Sequence, residues 1–282
     1  MAQFTNQAQL SYNGAVVNSN IAVGEILEVL SASKTAVLDD YTRNDDVTYV
    51  ISVVNSGTTP ITGLTVTDDL GGYAFGAETL YPLEYVAGSV RAYINGVLQP
   101  APVVSAGPPL VFSGITLPAG SNLMIIYEAD VTRFAPLDVN DSIVNTATVT
   151  GNGISGTVTV TETVTPEEAP ELTIAKFIEP VPVTENGTLT YRFIIQNYGN
   201  TAAVATDNVA VTDTFDPILN NVTAALDGVP LIENTDYTYV AGVFSTVTGR
   251  ITVPAATYTQ DATTGAWIIT PGVTELVVTG TV

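Results

Sequence analysis

The sequence predicts an all-β protein made of two tandem antiparallel β-sandwiches that follow a short N-terminal segment. Hydrophobic and polar residues alternate over short stretches, as in half-buried strands, and no stretch has a convincing helical period. Val, Thr, Ile and Tyr fill these stretches, while Gly, Asn, Asp and Pro interrupt them. The 282 residues, of which 46% are hydrophobic, are enough to bury two ordinary cores.

A duplicated motif set predicts the two domains. Lys34 and Lys176 lie 142 positions apart, and the pattern Lys-x14-Tyr-x5-Asn-x-Gly follows each of them without a gap. The later motif Val-Thr-Asp also occurs twice, ending at Asp68 and at Asp213. A duplication of this period indicates two similar domains. We place them at residues 27–165 and 166–282 and expect Ig-like topology, with about seven or more strands in each.

The N-terminal segment, residues 1–26, copies the end of the first repeat. Asn6-Gln-Ala-Gln-Leu-Ser-Tyr-Asn-Gly14 matches Asn145-Thr-Ala-Thr-Val-Thr-Gly-Asn-Gly153 in its Asn, Ala, aliphatic and Gly positions. The second repeat stops before it reaches a copy of its own. The sequence therefore predicts that residues 1–26 are donor strands, which complete the second domain of a neighbouring subunit.

The expected acceptor is an unpaired edge of the last strand of the second repeat. Burying the apolar side chains of the donor would contribute on the order of 10 kcal/mol before ordering costs, at roughly 1.5 to 3 kcal/mol for each large side chain. A head-to-tail interface that does not close produces a filament. A flexible tail, a monomer closed by its own segment and a swapped dimer or ring are the alternatives. The expected interface residues are Phe4, Ala8, Leu10, Ile21, Val23, Leu276 and Val278.

Composition excludes several functions. Against 28 acidic residues the chain has seven basic ones, and the net charge of −21 would repel nucleic acid. No long apolar or basic amphipathic stretch supports membrane insertion. The absence of Cys and His removes thiol chemistry and the commonest general base, and no cofactor is expected. A paired-carboxylate hydrolase is a weak third option, and acidic clusters such as Asp39-Asp40 lack the regular spacing of a calcium site.

The combined motifs resemble a known repeat. A Lys in a first strand, Thr-Tyr followed by Asn-x-Gly, Thr-Val-Thr-Asp and a late Asn-Thr-Ala-Thr-Val strand are similar to the Ig-like repeat of bacterial and archaeal surface proteins. That family is known only as domain of unknown function, family eleven. The resemblance covers both repeats and implies a surface or fibre-forming role without naming a ligand. The truncated second copy departs from the family pattern.

Polar residues of each repeat share a strand face with apolar ones. The two lysines of the chain, Lys34 and Lys176, alternate with aliphatic residues. The acids Asp68 and Asp213 do the same in their strands, as do Asn145 and its N-terminal counterpart Asn6. Since an unpaired buried charge is costly, we expect these groups to satisfy one another.

Two outcomes are open for these residues. One is a buried Lys–Asp pair that is hydrogen-bonded to Asn and has no chemistry. The other is an isopeptide bond, as in the Ig-like adhesins and pilins that the arrangement resembles, in which a desolvated lysine attacks the asparagine carboxamide while a protonated carboxyl group polarises the carbonyl. The nucleophile and electrophile are then Lys34 and Asn145 within a subunit, and Lys176 and Asn6 between subunits. The candidate acids are Asp68 and Asp213, with Glu162 and Glu25 as alternatives.

The leading prediction is a structural subunit of a cell- or spore-surface fibre that self-associates head to tail. Residues 1–20 lack the features of a secretory signal, so with Met1 as the native start we expect synthesis inside a mother cell, as for a spore appendage. The alternative is a carbohydrate- or calcium-binding adhesin module. No anchor or tip partner is predicted.

Overall fold

The computed structural model describes residues 2–154 and 156–282 and confirms the all-β prediction. Within these residues the one helical element is a short 3-10 turn at Ala205–Asp207, and no helix is long and apolar enough to cross a membrane. Contacts between residues divide the chain into two units. The first runs up to Thr132 and includes Ile143–Val164; the second contains Arg133–Ser142 and Thr165–Val282.

The N-terminal segment is a β-hairpin in two stretches. Its outer strands pair with each other, as do its inner strands. A tight turn at Asn13-Gly14 joins the inner strands with φ angles of 44° and 79°, which Asn and Gly adopt most readily. The strands are β1 (Ala2–Asn6), β2 (Gln9–Tyr12), β3 (Ala15–Asn18) and β4 (Ala22–Ile26).

The first domain is a sandwich of two six-stranded sheets. In chain order its strands are β5 (Leu30–Ala36), β6 (Asp40–Tyr41), β7 (Asp46–Asn55), β8 (Ile61–Asp68), β9 (Tyr73–Phe75), β10 (Glu78–Leu80), β11 (Leu83–Tyr85), β12 (Arg91–Ile94), β13 (Val97–Leu98), β14 (Val103–Ser105), β15 (Leu110–Leu117), β16 (Ser121–Val131), β17 (Ile143–Asn152) and β18 (Val158–Pro166). One sheet has the order β13-β12-β16-β7-β5, with β11 also on β16, and the other β14-β15-β8-β17-β18-β6. Inward residues at every second position fill the core, as the alternation predicts.

The second domain has a large five-stranded sheet, a small three-stranded sheet and a separate two-stranded pair. Its strands are β19 (Leu172–Glu179), β20 (Thr188–Asn197), β21 (Thr212–Thr214), β22 (Asn220–Leu226), β23 (Val229–Pro230), β24 (Tyr237–Val240), β25 (Val243–Thr246), β26 (Thr257–Gln260), β27 (Trp267–Thr270) and β28 (Gly272–Thr281). The large sheet has the order β19-β20-β28-β22-β23, the small sheet has the order β21-β25-β24, and β26 pairs with β27.

The last strand of the chain does not provide the predicted open edge. β28 pairs with β20 along one side and with β22 along the other, so that Val278 faces Tyr191 and Ala224. Leu276 and Val278 are fully buried in the core of their own domain. The expectation that they form the donor-strand interface was therefore wrong: the final strand is internal to its sheet, because the second repeat keeps both partners of that strand.

The repeated Asn-x-Gly motif is a loop clamp. Asn55 is completely buried and donates from Nδ2 to the carbonyl oxygens of Thr59, Leu117 and Pro118, while its Oδ1 accepts the N–H of Gly57. Asn197 repeats this role in the second domain, with Thr201, Pro254 and Gly199 among its partners. The motif recurs because an internal amide satisfies loop groups that would otherwise lack partners.

Candidate cross-link site

The predicted polar residues of the first domain meet inside its core. Lys34 lies on β5, at the edge of one sheet, whereas Asp68 on β8 and Asn145 on β17 belong to the opposite sheet. All three side chains are buried. The cluster therefore spans the two layers of the sandwich, and a covalent bond between Lys34 and Asn145 would connect them.

Lys34 and Asp68 form a buried ion pair. Lys34 Nζ donates to Asp68 Oδ2 at 2.6 Å and lies 4.7 Å from the centre of the Tyr49 ring. Asp68 Oδ1 accepts the N–H of Leu70 at 3.0 Å. These partners compensate the two charges for the water that they lose on burial.

Burial also changes the acidity of the lysine. Removal from water lowers the pKa of Lys34, and this effect outweighs the opposing attraction of Asp68, Asp69 and Glu162, which favours the charged form. A lower pKa increases the fraction of Lys34 that is present as the neutral amine. Because only the neutral amine is a nucleophile, the environment of Lys34 favours attack on a nearby carbonyl.

Tyr127 connects Asp68 to Asn145 and is not among the residues that the sequence patterns predicted. Its hydroxyl donates to Asp68 Oδ2 at 2.6 Å and accepts a hydrogen bond from Asn145 Nδ2 at 3.4 Å. Burial raises the pKa of Tyr127 well above its usual value, as do the nearby charge of Asp68 and the bond to it. Alternation along β16, where Leu123, Ile125 and Tyr127 share the buried face, is the signal that would have found it.

The role predicted for Asp68 therefore needs a correction. Its hydrogen bonds reach Lys34, Tyr127 and the backbone of Leu70, so it contacts Asn145 only through the tyrosine. Within residues 2–154 and 156–282, the buried Oδ1 of Asn145 has no hydrogen-bond donor. The alternative acid, Glu162, is half-buried on β18 directly opposite Asn145.

The second domain contains the same ion pair in a more open setting. Lys176 and Asp213 form an ion pair, with side chains that are 42% and 18% exposed. The ammonium group lies over aromatic rings, 4.7 Å from the centre of Tyr191 and 5.5 Å from that of Phe215. Lys176 thus points to the core side of β19, as predicted, but much of its side chain is not covered.

The relay position is different in the second domain. Tyr127 lies opposite Tyr49 in the first domain, and Val278 lies opposite Tyr191 in the second. Phe215 stacks on Tyr191 with ring centres 4.6 Å apart. The second domain therefore preserves the lysine and the acid but has no hydroxyl where Tyr127 would be.

The open edge of the second domain belongs to β21. In the first domain β8 lies between β15 and β17. Among the described residues, β21 pairs only with β25, which corresponds to β15. Ile174, which alternates with Lys176 on β19, is 57% exposed. The sheet edge that pairs with β17 in the first domain is thus unpaired in the second among the described strands. Lys176 is partly exposed to solvent.

The hairpin presents its apolar side chains to solvent. Phe4 is 53% and Leu10 63% exposed, although Phe4 contacts the small Gly24 on the neighbouring strand. Ile21 is exposed as well. Exposure of this many large apolar side chains on a short hairpin is typical of an interaction surface.

Pairing within the hairpin corrects the role predicted for Glu25 and places two predicted interface residues, Phe4 and Val23, on different faces. Asn6 faces Ala22, whereas Glu25 faces Gln3 and accepts a hydrogen bond from it at 3.1 Å. Because residues paired across strands share a face, Glu25 lies on the face opposite Asn6. Glu25 is therefore not the counterpart of Glu162, which directly faces Asn145. Val23 also lies opposite an odd-numbered residue, so Phe4 and Val23 occupy different faces.

Acidic side chains in the loops of the first domain bond to neighbouring backbone and hydroxyl groups. The carboxylate of Asp45 accepts bonds from Thr42, and that of Asp69 accepts bonds from Gly71 and Thr146. Within residues 2–154 and 156–282, no group of three or more acidic side chains is arranged to hold a metal ion. These acids order their own loops.

The chain is similar to solved structures of pilin subunits. No protein-family model matches the chain, and no curated protein matches it. BcpA, the major pilin subunit of Bacillus cereus, is 13% identical over 96% of this chain and 73% of its own, with a TM-score of 0.39. The pilus backbone RrgB of Streptococcus pneumoniae is 12% identical over 86% and 55%, with a TM-score of 0.36. A C-terminal fragment of the major pilin GBS80 of Streptococcus agalactiae is 13% identical over 86% and 91%, with a TM-score of 0.35.

Proposed function

We propose that this chain is the structural subunit of a surface fibre and that it polymerises head to tail. The N-terminal hairpin of one copy adds to the β21 edge of the second domain of the next. One internal comparison carries the proposal. In the first domain β17 and β18 extend the sheet that contains Asp68, and Lys34 is buried. Among the described residues no strand takes their place beside β21, Lys176 is partly exposed, and the N-terminal hairpin carries an exposed copy of their sequence pattern.

The first domain supplies the expected register of the donated strand. There Ala147 lies opposite Asp68, and Asn145 comes two residues earlier. In the proposed complex the same register would set Ala8 opposite Asp213 and Asn6 beside Lys176. The donor strand would pair its backbone with the free edge, and its apolar residues would cover the open face of β19.

Cross-links would stabilise the fibre. Lys34 and Asn145 would form an amide within each subunit, and Lys176 and Asn6 would form one between subunits, with loss of one ammonia per bond. Each bond joins an edge strand of one sheet to a strand of the opposite sheet, so a pulling force along the chain cannot separate the layers without breaking a covalent bond. The high negative charge would keep neighbouring filaments apart.

A fibre of this kind would be located on a cell or spore surface. Its partner is a further copy of the same chain, and each interface joins a hairpin to a different surface. Such a heterologous contact extends into a filament when its rotation does not close.

Denaturing gels and intact mass of four purified forms test the proposal. The full-length chain is expected to give a ladder that survives boiling in detergent, with one ammonia lost for each bond. Removal of residues 2–26 and the substitution Asn6→Ala should each abolish the ladder. Asn18→Ala is the matched control, because Asn18 lies on the inner strand β3 of the same exposed hairpin, and its side chain accepts a hydrogen bond from Gln9 alone among the described residues.

The possible results distinguish strand donation from the covalent bond between subunits. Filaments that are visible by electron microscopy but dissolve in detergent would retain strand donation and remove the covalent bond between subunits. A full-length protein that sediments as a monomer at every concentration would overturn the head-to-tail polymer itself.

A further inference from the structure

We propose that the hydroxyl of Tyr127 relays the proton that allows ammonia to leave Asn145 during bond formation in the first domain. This inference rests on the proposed isopeptide function. It assigns the acid that touches the leaving group to the tyrosine, whereas the carboxylate of Asp68 acts behind it.

Geometry separates the roles of the two groups. Asp68 Oδ2 contacts both Lys34 Nζ and the Tyr127 hydroxyl, each at 2.6 Å. The hydroxyl in turn contacts Nδ2 of Asn145, which is the atom that must leave as ammonia. A continuous path of hydrogen bonds therefore leads from the nucleophile to the leaving group, and Tyr127 is its last member.

The step balances along this path. Lys34 passes one proton to Asp68 and becomes a neutral amine, which attacks Cγ of Asn145. The Nζ–Cγ bond forms and the Cγ–Nδ2 bond breaks, while Tyr127 gives its proton to Nδ2 and takes the proton held by Asp68. Asp68 then receives the second proton that Nζ loses. The products are one secondary amide, one ammonia and a protonated Asp68, with no change in total charge.

The setting of the phenol suits this role. Its bond to Asp68 fixes the hydroxyl, and its ring stacks on Tyr49 with centres 5.6 Å apart. Burial and the nearby carboxylate raise the pKa of Tyr127, so the phenol keeps its proton until Nδ2 becomes basic. The leaving nitrogen becomes basic only after the amine has attacked.

The second domain provides an internal contrast. Val278 stands where Tyr127 would be, so the bond between Lys176 and Asn6 must form without this relay. A change at Tyr127 should therefore slow bond formation at Lys34 and leave the bond at Lys176 unaffected. Unfolding of the whole chain would reduce both bonds, whereas loss of the relay affects the first domain alone and leaves that domain folded.

Tyr127→Phe in the full-length chain tests the relay. The protein is synthesised in a cell-free reaction, samples are denatured at intervals, and peptide mass mapping follows ammonia loss at each site. We expect the bond at Lys34 to form roughly 100-fold more slowly, the typical contribution of a positioned proton donor. Tyr85→Phe is the matched control: its ring packs against Tyr127, with centres 6.5 Å apart, but its hydroxyl contacts the backbone of Val90.

Different results would overturn the relay and the proposed isopeptide function. Bond formation at the wild-type rate in a folded Tyr127→Phe protein would overturn the relay. Absence of the bond from the wild-type chain would instead remove the proposed isopeptide function. If the variant does not fold, a crystal structure of Lys34→Met, which cannot form the bond, decides the question: a Tyr127 hydroxyl that does not contact Asn145 Nδ2 would overturn the relay.

Discussion

Lys34 Nζ lies 2.6 Å from Asp68 Oδ2 with both side chains fully buried, whereas their equivalents in the second domain, Lys176 and Asp213, are 42% and 18% exposed. The same ion pair thus exists twice in one chain, once covered and once open. The two sites also differ in strand pairing: β8 pairs with β17, which carries Asn145, whereas β21 pairs with β25 alone among the described strands. Under the proposed strand donation, the exposure of Lys176 should fall to that of Lys34 when the hairpin of another copy binds.

Removal of Lys34 should destabilise the first domain strongly. In an Asn145→Ala background, where no isopeptide can form, Lys34→Met leaves the carboxylate of Asp68 buried without its cation. We expect a loss of about 3 to 5 kcal/mol in the free energy of unfolding, the usual cost of breaking a buried pair from one side. Calorimetry of the two domains measures the effect.

Lys176→Met provides the comparison in the same chain. Because Lys176 is partly exposed, its loss should cost clearly less than the loss of Lys34 in a protein without the hairpin. Equal effects at the two positions would show that cover by β17 does not determine the strength of the pair.

Repetition and alternation predicted much of this structure from particular residues. The repeat of Lys-x14-Tyr-x5-Asn-x-Gly identified two related domains, and alternation placed Lys34, Asp68 and Asn145 on inward faces, where the structure has them. These patterns succeed because a strand with one buried face repeats every second residue.

Sequence patterns did not predict which strand edges pair. β28 continues a repeat that appeared truncated, but both of its edges are paired, and the free edge lies at β21. The faces of Asn6 and Glu25 depend on an irregular pairing register in the hairpin, where a shift of one residue reverses a side chain. Tyr127 was missed because a tyrosine on an alternating strand is usually a core residue.

Asn55→Ala should destabilise the first domain without affecting its chemistry. The side chain makes four hydrogen bonds to loop backbone groups, and its truncation leaves buried carbonyl oxygens without donors. We expect a loss of at least about 2 kcal/mol in the free energy of unfolding, measured by urea titration. Asn122→Ala, at an exposed position of β16, should change it by less than about 0.5 kcal/mol. A similar small change for Asn55→Ala would contradict the clamp.

Asp130 should make the first domain less stable as the pH rises. A hydrogen bond with Asp46 on the neighbouring strand, together with burial and nearby carboxylates, raises the pKa of Asp130 from 3.8 to about 6. Between these values the folded state binds more protons than the unfolded state, so stability falls as the pH increases. Asp130→Asn should therefore stabilise the protein by roughly 0.5 kcal/mol at neutral pH.

The pH dependence of the free energy of unfolding tests whether ionisation of Asp130 causes this effect. The gain from Asp130→Asn should vanish below about pH 4, where both states of the wild-type protein are protonated. Thermal unfolding measured from acid to neutral pH gives the two curves. Glu128→Gln removes a neighbouring charge that faces Thr48 and contributes least to the raised pKa of Asp130, so its curve should change much less than that of Asp130→Asn. A gain from Asp130→Asn that persists in acid would indicate a cause other than ionisation.

Thr214→Pro should block polymerisation while the second domain stays folded. In β21 the odd-numbered residues direct their backbone groups to β25, since Val211 accepts from Thr246 and Phe215 donates to Gly242. Backbone groups alternate in direction along an antiparallel strand, so the N–H of Thr214 points to the free edge. Proline removes this donor and adds bulk where a donated strand must pair.

Thr214→Val is the control that distinguishes loss of the backbone N–H at the free edge from loss of the threonine side chain. It preserves the backbone N–H and a similar volume, so it should assemble as the wild type does, while Thr214→Pro sediments as a monomer with an unchanged circular dichroism spectrum. Since β28 is paired on both sides, a proline on that strand would unfold its sheet rather than test an edge. Filaments of normal length from Thr214→Pro would therefore mean that the hairpin docks elsewhere, and that the resemblance of residues 2–26 to β17 and β18 does not reflect their place in the fibre.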